Sequence, residues 1–219
     1  MEIRDEEGVL LRYLESLDLS PDHRILDVGC GYGEKMKLLL SAGYNVIGVD
    51  VNPAMIHANR QSGMNCLSVE DLEESEDSWD VILMSHVIEH FSPKELLVFM
   101  DKYLDHLKSG GHLIIITPLQ SPHFYWDFDH VKPYHPFGIN MVFGGKEKQV
   151  QYYSEHKLEL KDIWFRRVPI QLYFFPGLYL KKYSRIPRII NFLLTILFRV
   201  SFKAIGKTEA WLGLYQKTS

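Results

Sequence analysis

The sequence predicts an α/β fold, in which a mostly parallel sheet of seven strands has helices on both faces. Three observations support this fold class. Short apolar segments alternate with amphipathic segments from the start of the chain, as in successive βαβ units. The apolar segment at 24–29 leads directly into glycines at alternate positions, where a strand turns into a helix. A helix-like segment at 93–107 is followed by an apolar run ending at Thr117, as expected of a buried central strand.

The first 117 residues contain the clearest elements. Asn52 and Ser92 are suited to cap helices, and each is followed by a proline, which is favoured at the first helical position. Ser109 and the two glycines after it are expected to end the long helix. Together these patterns predict helices over residues 2–17, 35–42, 53–61 and 93–107. They predict strands over residues 24–29, 45–50, 65–69, 79–85 and 112–117.

The second half of the chain is less regular. Residues 118–150 are rich in Pro, His, Gly and aromatic residues without a period, which is typical of a functional loop, and we expect no helix at 138–146. The last two strands are predicted at 158–167 and 210–217. A basic, apolar helical insertion is expected before the last strand.

Charge is distributed unevenly along the chain. The net charge is −4, but residues 1–162 carry 14 basic and 27 acidic residues, whereas residues 163–219 carry 10 and 1. A basic end on an acidic protein predicts an anionic partner. Two cysteines are too few for a disulfide framework, and the first residues lack the pattern of a signal peptide. We therefore expect a cytoplasmic protein, with the inner face of the membrane as a further location.

The segment ILDVGCGYGE, residues 25–34, indicates a ligand-binding loop. Its glycines let backbone N–H groups approach a ligand closely, although a glycine pattern alone is weak evidence. Asp27 precedes the first glycine, and a carboxylate there suits a ligand with an amine end and repels a pyrophosphate. Asp50 ends the next strand, where a carboxylate accepts hydrogen bonds from ribose hydroxyls. A glycine turn without a ligand is the alternative.

These residues resemble the first motif of class I S-adenosylmethionine (SAM)-dependent methyltransferases. The resemblance extends through WDVILMSHVIEHF, residues 79–91, and LDHLKSGGHLIIITP, residues 104–118. It implies an enzyme with a Rossmann-like fold that uses SAM. The usual acidic residue near the adenine aligns with Ser68, so that contact falls to its neighbours. The implied cofactor-binding residues are Asp27, Gly29, Cys30, Gly31, Asp50, Val51, Met55, Val69, Glu70, Asp71 and Ser85.

The resemblance also implies how a single methyltransferase domain, residues 1–219, is organised. Residues 1–117 would form the SAM-binding half. The acceptor-side loop and strand would follow at 118–168. The basic apolar insertion would occupy 169–208, and the last strand 209–219.

The segment SHVIEHF places His86, Glu89 and His90 at helical spacing on one face. Glu89 and His90 are candidate ligands for a divalent metal, as in methyltransferases with a similar Glu-x-x-Glu-His segment. His86 replaces the first of those glutamates, so we do not expect a metal. The alternative is that Glu89 and His90 form a hydrogen-bonded structural pair.

The segment YWDFDHVKPYHPF, residues 125–137, resembles one found in methyltransferases of bacterial surface-polysaccharide and lipopolysaccharide pathways. Aromatic faces at Tyr125, Trp126 and Tyr134 would stack on sugar rings. A histidine would take the hydroxyl proton as the methyl group is transferred, with His130 the first candidate for this base and His86 the second. For either histidine, a purely structural role in the loop is the alternative.

The basic, apolar segment near the end of the chain predicts a membrane-associated helix. Polar residues at 188, 191, 195, 199 and 203 trace one narrow stripe, and the rest of the helix surface is apolar. The uninterrupted apolar core is too short to cross a bilayer. We expect peripheral membrane binding through residues 176–205, with burial against the protein itself or a second subunit as the alternative. Nucleic-acid binding is not expected, because aliphatic residues separate the basic ones.

The function predicted from these features is O-methylation of a sugar hydroxyl on a glycan or lipid-linked saccharide. An alternative within the same class is a quinone-like or other small lipophilic acceptor, and metal dependence would separate the two. An alternative of another class is a membrane-surface binding module with a vestigial cofactor site. A nicotinamide-linked dehydrogenase is the least supported. Oligomeric state is left open.

Overall fold

The computed structural model describes residues 5–75, 77–121, 124–145, 150–172 and 185–218. Strands and helices alternate along the chain, as predicted. The strands are Arg24–Val28 (β1), Asn45–Val49 (β2), Cys66–Leu67 (β3), Trp79–Ser85 (β4), Leu107–Pro118 (β5), Leu158–Val168 (β6) and Lys207–Lys217 (β7). The helices are Asp5–Ser16 (α1), Glu34–Ser41 (α2), Pro53–Gln61 (α3), Val69–Glu73 (α4), Pro93–Asp105 (α5), Pro136–Phe143 (α6) and Arg185–Val200 (α7).

The seven strands form one sheet in the order β3-β2-β1-β4-β5-β7-β6. The pairs β1–β2, β1–β4, β2–β3 and β4–β5 are parallel, which confirms the mostly parallel sheet. From β1 the chain first adds β2 and β3 on one side of the sheet. It then crosses over and adds β4 on the other side of β1. The carboxyl ends of β1, β2 and β4 therefore meet at a topological switch point, where ligands bind in open α/β sheets.

Two apolar clusters cover the faces of the sheet. Alternate residues of each central strand point to opposite faces, so Leu26 and Ile82 belong to one cluster while Ile25 and Val81 belong to the other. Helix α5 packs on the first face and helices α1, α2 and α3 on the second. Helices on both faces of a parallel sheet are what the fully buried strands require.

The predicted third strand and long helix are shorter than expected. The strand pairs only at Cys66 and Leu67, because Ser68 then caps α4 in a reciprocal capping box with Asp71. Helix α5 ends at Asp105, and β5 already begins at Leu107, before the glycines that were expected to stop the helix. The glycines instead coincide with an irregularity in the pairing of β5 with β4.

The expectation of no helix at 138–146 is wrong, because most of that segment lies in α6. His135 caps this helix by accepting a hydrogen bond at Nδ1 from the Phe137 N–H, and Pro136 takes the first helical position. Burial of Ile139 and Phe143 in the first apolar cluster stabilises it. A histidine cap and a glycine inside the helix are weak helix signals, which explains why the pattern was missed.

The contacts within the chain divide it into two compact units. One comprises residues 1–164 and 211–219, and the other residues 165–210. The second unit contains α7, which lies between β6 and β7 in the sequence. Residues 176–184 of the expected membrane-binding segment lie outside the described residues. Among the helices that are described, none is both long and apolar enough to cross a membrane.

Tyr134 belongs to the core and not to an acceptor surface, which corrects its expected role in sugar stacking. Only 7% of the residue is exposed, and its hydroxyl donates a hydrogen bond to the Phe91 carbonyl at 2.9 Å. The Tyr134 carbonyl in turn accepts a hydrogen bond from the indole of buried Trp211 at 2.8 Å. The residue therefore ties the loop after β5 to the sheet.

We expect the substitution Tyr134→Phe to lower the free energy of unfolding by about 1 kcal/mol, because it leaves the Phe91 carbonyl without its donor. Denaturant titration measures the change. The control Tyr125→Phe removes a hydroxyl from a side chain that is 62% exposed, so it should change stability by no more than about 0.5 kcal/mol. Equal stability of both variants would show that the Tyr134 hydroxyl bond contributes nothing.

Candidate active site

The glycine loop, residues 29–33, follows β1, and its backbone adopts angles that glycine allows most easily. Gly29, Gly31 and Gly33 have φ angles of 68°, 51° and 70°, a region that favours glycine. A Cβ at Gly29 would lie 2.6 Å from a methyl carbon of Val87, whereas a Cβ at Gly31 would meet nothing within 4 Å. Gly29 therefore allows β1 and the segment after β4 to approach closely, and Gly31 faces open space where a ligand can lie.

Asp27 is a buried carboxylate with an unfilled acceptor. The residue is 2% exposed, and its Oδ2 has no hydrogen-bond partner among the described residues. Burial raises the pKa of Asp27 to about 7, with Lys35 opposing the rise and Asp50 adding to it. A ligand ammonium would supply the missing donor and favour the charged form, so the position suits the amino-acid end of a cofactor.

Asp50 is oriented by two backbone donors at the end of β2. Its Oδ1 accepts from the Asn52 N–H and its Oδ2 from the Gly31 N–H, both at 2.8 Å. Each carboxylate oxygen has a second lone pair, which leaves capacity for two hydroxyl donors. This carboxylate is therefore fixed relative to the glycine loop and suits a ribose.

Two neighbouring cavities meet at the glycine loop and share Gly29 and His86. The first, about 260 Å³, is lined by Glu6, Asp27, Gly29, Cys30, Tyr32, Glu34, Lys35, Ser85 and His86. The second, about 310 Å³, is lined by Val28, Gly29, Val49, Asp50, Val51, His86, Val87, His90, Phe91, Phe99 and Tyr103. The acidic first cavity and the more apolar second one suit the two ends of an amino acid–nucleoside ligand.

The remaining residues expected to bind the cofactor do not line these cavities. They are Gly31, Met55, Val69, Glu70 and Asp71. Asp71 accepts the Ser68 N–H and pairs with Arg60 at 3.0 Å, so its carboxylate is already engaged. Glu70 is the exposed acidic side chain left in that segment.

Several lining residues were not predicted. Glu6 and Lys35 belong to the first cavity and form an ion pair with each other at 3.5 Å, while Phe99 and Tyr103 line the second. They lie in α1, α2 and α5, where the sequence pattern does not distinguish them from other residues of amphipathic helices. Cys30 lies in the loop as predicted, and its Sγ is 3.5 Å from that of Cys66, with both thiols free.

His86 lies between two buried carboxylates. Its Nε2 is 3.7 Å from Glu6 and its Nδ1 is 3.3 Å from Glu89. Burial lowers its pKa, but the bonds to these two carboxylates outweigh burial and raise the pKa to about 9. Both ring nitrogens therefore carry protons near neutral pH. An imidazolium donates hydrogen bonds and cannot take a proton, so this geometry does not favour His86 as a base.

The predicted one-face arrangement of His86, Glu89 and His90 is wrong, because the backbone is not α-helical there. His86 has a left-handed φ of 57°, and only residues 88–90 form a short 3₁₀ turn. The alternative of a bonded Glu89–His90 pair is also wrong in the described structure. Glu89 accepts from the Thr117 hydroxyl at 2.9 Å, whereas His90 bonds to the Asp129 carbonyl.

His90 and His130 are each oriented by a backbone carbonyl. Their Nδ1 atoms lie 3.1 Å and 2.8 Å from the backbone carbonyls of Asp129 and Phe124. A carbonyl only accepts, so each Nδ1 donates its hydrogen, and Nε2 is the nitrogen that is left for another partner. With Glu89 these rings offer three ligand atoms within 4.8 Å of one another. This set resembles the two-histidine, one-carboxylate ligands of divalent ions, with His130 joining the predicted candidates Glu89 and His90.

A family model for the methyltransferase domain matches residues 4–183 of the chain. The ubiquinone biosynthesis O-methyltransferase of Nitrobacter winogradskyi is 32% identical over 114 residues, 48% of this chain and 42% of that protein. The same enzyme of Brucella anthropi is 34% identical over 103 residues, 43% of this chain and 40% of the relative. The chain thus spans less than half the length of these curated relatives.

Among solved structures, a SAM-dependent methyltransferase from Archaeoglobus fulgidus has a TM-score of 0.62 at 23% identity and covers 97% of this chain and 93% of its own. YcgJ of Bacillus subtilis has a TM-score of 0.56 at 16% identity, covering 98% of both chains. At such low identity, the likeness to these two structures shows the fold alone. Because the family model matches most of the chain, the chain belongs to the methyltransferase-domain family, which confirms the predicted enzyme class and implies SAM as cofactor.

The residues present fit that cofactor. The unfilled acceptor of Asp27 suits the ammonium group, and the oriented carboxylate of Asp50 suits the ribose.

We expect Asp27→Asn to weaken SAM binding at least about tenfold, because a charge-assisted hydrogen bond is lost. Titration calorimetry measures the affinity. The control Asp18→Asn, at an exposed position outside both cavities, should bind SAM as the unchanged protein does.

The pH dependence of stability without ligand should also reveal the raised pKa of Asp27. Its pKa is raised from the ordinary value of 3.8 to about 7, so the folded chain holds a proton that the unfolded chain releases. The free energy of unfolding should therefore fall as pH rises from about 4 to about 7, and the Asp27→Asn variant should lose that part of the fall. Denaturant titrations at several pH values measure it, and identical pH profiles for both proteins would contradict the assignment.

Proposed function

We propose that this member of the methyltransferase-domain family methylates a sugar hydroxyl on a glycan or lipid-linked saccharide. The observation that carries the proposal is the position of His130. Its Nδ1 lies 2.8 Å from the Phe124 carbonyl, which leaves Nε2 for an acceptor molecule, and its ring lies 5.0 Å from that of His90, which lines the second cavity. The candidate proton acceptor is thus close to a residue of the expected cofactor site and belongs to a loop whose side chains suit a polyol.

The loop before His130 is aromatic and exposed. Tyr125 and Trp126 are 62% and 65% exposed, and Phe128 is 98% exposed. Exposed aromatic faces beside carboxylates are suited to a sugar, whose ring stacks while its hydroxyls donate to acids such as Asp127 and Asp129. The loop is anchored because the backbone N–H groups of the next two residues, 131 and 132, donate to the Glu89 carbonyl.

The chain's own groups support proton removal from the acceptor. SAM, when bound, supplies a methyl group on a cationic sulfur. The Nε2 of His130 takes the proton of the acceptor hydroxyl while the oxygen becomes methylated. Asp127, whose Oδ2 is 3.7 Å from that nitrogen, stabilises the resulting imidazolium. His86, already protonated between Glu6 and Glu89, remains a donor at the junction of the two cavities.

A second candidate acceptor is a quinone-like or other small lipophilic molecule. Two observations favour it: the relatives named as ubiquinone biosynthesis O-methyltransferases, and the set Glu89, His90 and His130. In this alternative Glu89, His90 and His130 would hold a divalent ion, which would supply a positive charge that lowers the pKa of the acceptor hydroxyl. A binding module with a vestigial cofactor site is disfavoured by the family match and would show no affinity for SAM in calorimetry.

We expect His130→Asn to lower kcat at least about 100-fold, because the acceptor hydroxyl loses its base, while the affinity for SAM stays the same. Transfer of labelled methyl groups to a panel of glycans and nucleotide sugars provides the rate. The control His57→Asn changes an exposed histidine of α3 outside both cavities. Transfer to small aromatic acceptors without transfer to any sugar would overturn the proposed acceptor class.

Metal removal separates the two candidates. If His130 acts as the base, dialysis against a chelator should leave kcat unchanged within about twofold, because no step requires an ion. A loss of activity that Zn²⁺ or Mn²⁺ restores would instead identify Glu89, His90 and His130 as a metal site and favour the lipophilic acceptor.

A further inference from the structure

Helix α7 presents an apolar face to the outside. Residues at spacings of three and four form one stripe along a helix, and here every member of the outward stripe is aliphatic. In a water-soluble domain such a stripe normally points to the core. The stripe and its exposed fractions are Ile186 55%, Ile189 59%, Ile190 37%, Leu193 58%, Ile196 42%, Leu197 40% and Val200 66%.

The amide and hydroxyl residues of α7 lie away from its aliphatic stripe. Asn191 and Thr195 are only partly exposed, and Phe198 is buried. Asn191 accepts a hydrogen bond from the Leu172 N–H at 2.8 Å, and the Thr195 hydroxyl donates to the Asn191 carbonyl. The helix thus uses its amide and hydroxyl groups within its own unit and leaves its aliphatic side chains outside.

Positive charge accompanies the apolar stripe. Arg188 and Arg199 are exposed and lie eleven residues apart, three turns along one flank of the stripe, and Lys203 follows the helix. From residue 163 to the end, Glu209 is the single acidic residue of the sequence. It lies 3.7 Å from Arg166 and 3.8 Å from Lys207, both outside the helix. The charge beside the stripe therefore suits an anionic partner.

The apolar stripe and the positive charge beside it together favour one kind of binding partner. Sixteen residues span about 24 Å, less than the about 30 Å of a bilayer core, so the helix would lie in the membrane plane. A nucleic acid offers nothing to an aliphatic stripe. Antiparallel pairing with a second copy through this face would bring the two rows of arginines together, which disfavours that contact.

We propose that α7 binds the surface of an anionic membrane, with its apolar stripe among the acyl chains and Arg188 and Arg199 at the lipid phosphates. Aliphatic side chains bury into the boundary between headgroups and acyl chains, and arginine stems reach from there to the phosphate layer. The proposal goes beyond the proposed function, because membrane binding does not depend on which acceptor is methylated.

The test is sedimentation of the full chain with phosphatidylcholine vesicles, prepared with or without phosphatidylglycerol. We expect binding to the anionic vesicles, at least about tenfold weaker binding without phosphatidylglycerol, and weakening by salt. Leu193→Glu should reduce binding to anionic vesicles at least about tenfold, because it places a charge in the apolar stripe. The control Val98→Glu, at a position of α5 that is 66% exposed, should bind like the unchanged protein.

A second variant tests the charge independently of the apolar contact. The double substitution Arg188→Gln and Arg199→Gln should reduce the preference for phosphatidylglycerol while the protein still unfolds as before, since both side chains are exposed. Absence of vesicle binding by the unchanged protein, or equal binding by Leu193→Glu, overturns the proposal. So does a dimer in light scattering that Leu193→Glu converts to a monomer without any lipid binding. Labelled methyl transfer to a water-soluble acceptor tests the proposed function separately.

Discussion

The burial of Asp27, whose Oδ2 has no hydrogen-bond partner among the described residues, is the constraint on which the cofactor site depends. Strand β1 lies between β2 and β4, and the register places Asp27 beside Gly48 and Leu83, well away from water. Desolvation opposes its charge, so the folded chain without ligand bears a cost that a bound ammonium removes. Groups held at such cost are characteristic of functional sites. The glycines beside Asp27 leave room for a ligand that donates a hydrogen bond to its carboxylate.

Glu89 connects this site to the acceptor side. It is fully buried, and its carboxylate holds both the His86 ring and the Thr117 hydroxyl. Its backbone carbonyl accepts from the two N–H groups that follow His130. One residue therefore fixes a cation at the junction of the two cavities and the loop that carries the candidate base.

The parts of the structure that follow from local sequence were predictable. Buried parallel strands are continuously apolar, which located β1, β2 and β4, and Asn52 and Ser92 located two helix starts. Helix α6 was missed because its cap is a histidine. The pairing of His86 with Glu6 was also missed, since it joins residues eighty positions apart that no local pattern relates. Cofactor residues cluster in motifs, whereas the acceptor side is assembled from separate loops.

The orientation of α7 illustrates a limit of helix periodicity. A helix with one polar and one apolar face has the same pattern whichever face is covered, so the sequence allowed burial or membrane contact equally. The bond from the Leu172 N–H to Asn191 shows which side the unit uses for itself. Each exposed aliphatic side chain then costs about 25 cal/mol for every Å² left in water. Seven such residues in one stripe form an exposed apolar patch of the kind that marks interaction sites. The proposed contact with an anionic membrane would cover the stripe, and the arginines at its flank would then lie at the headgroups.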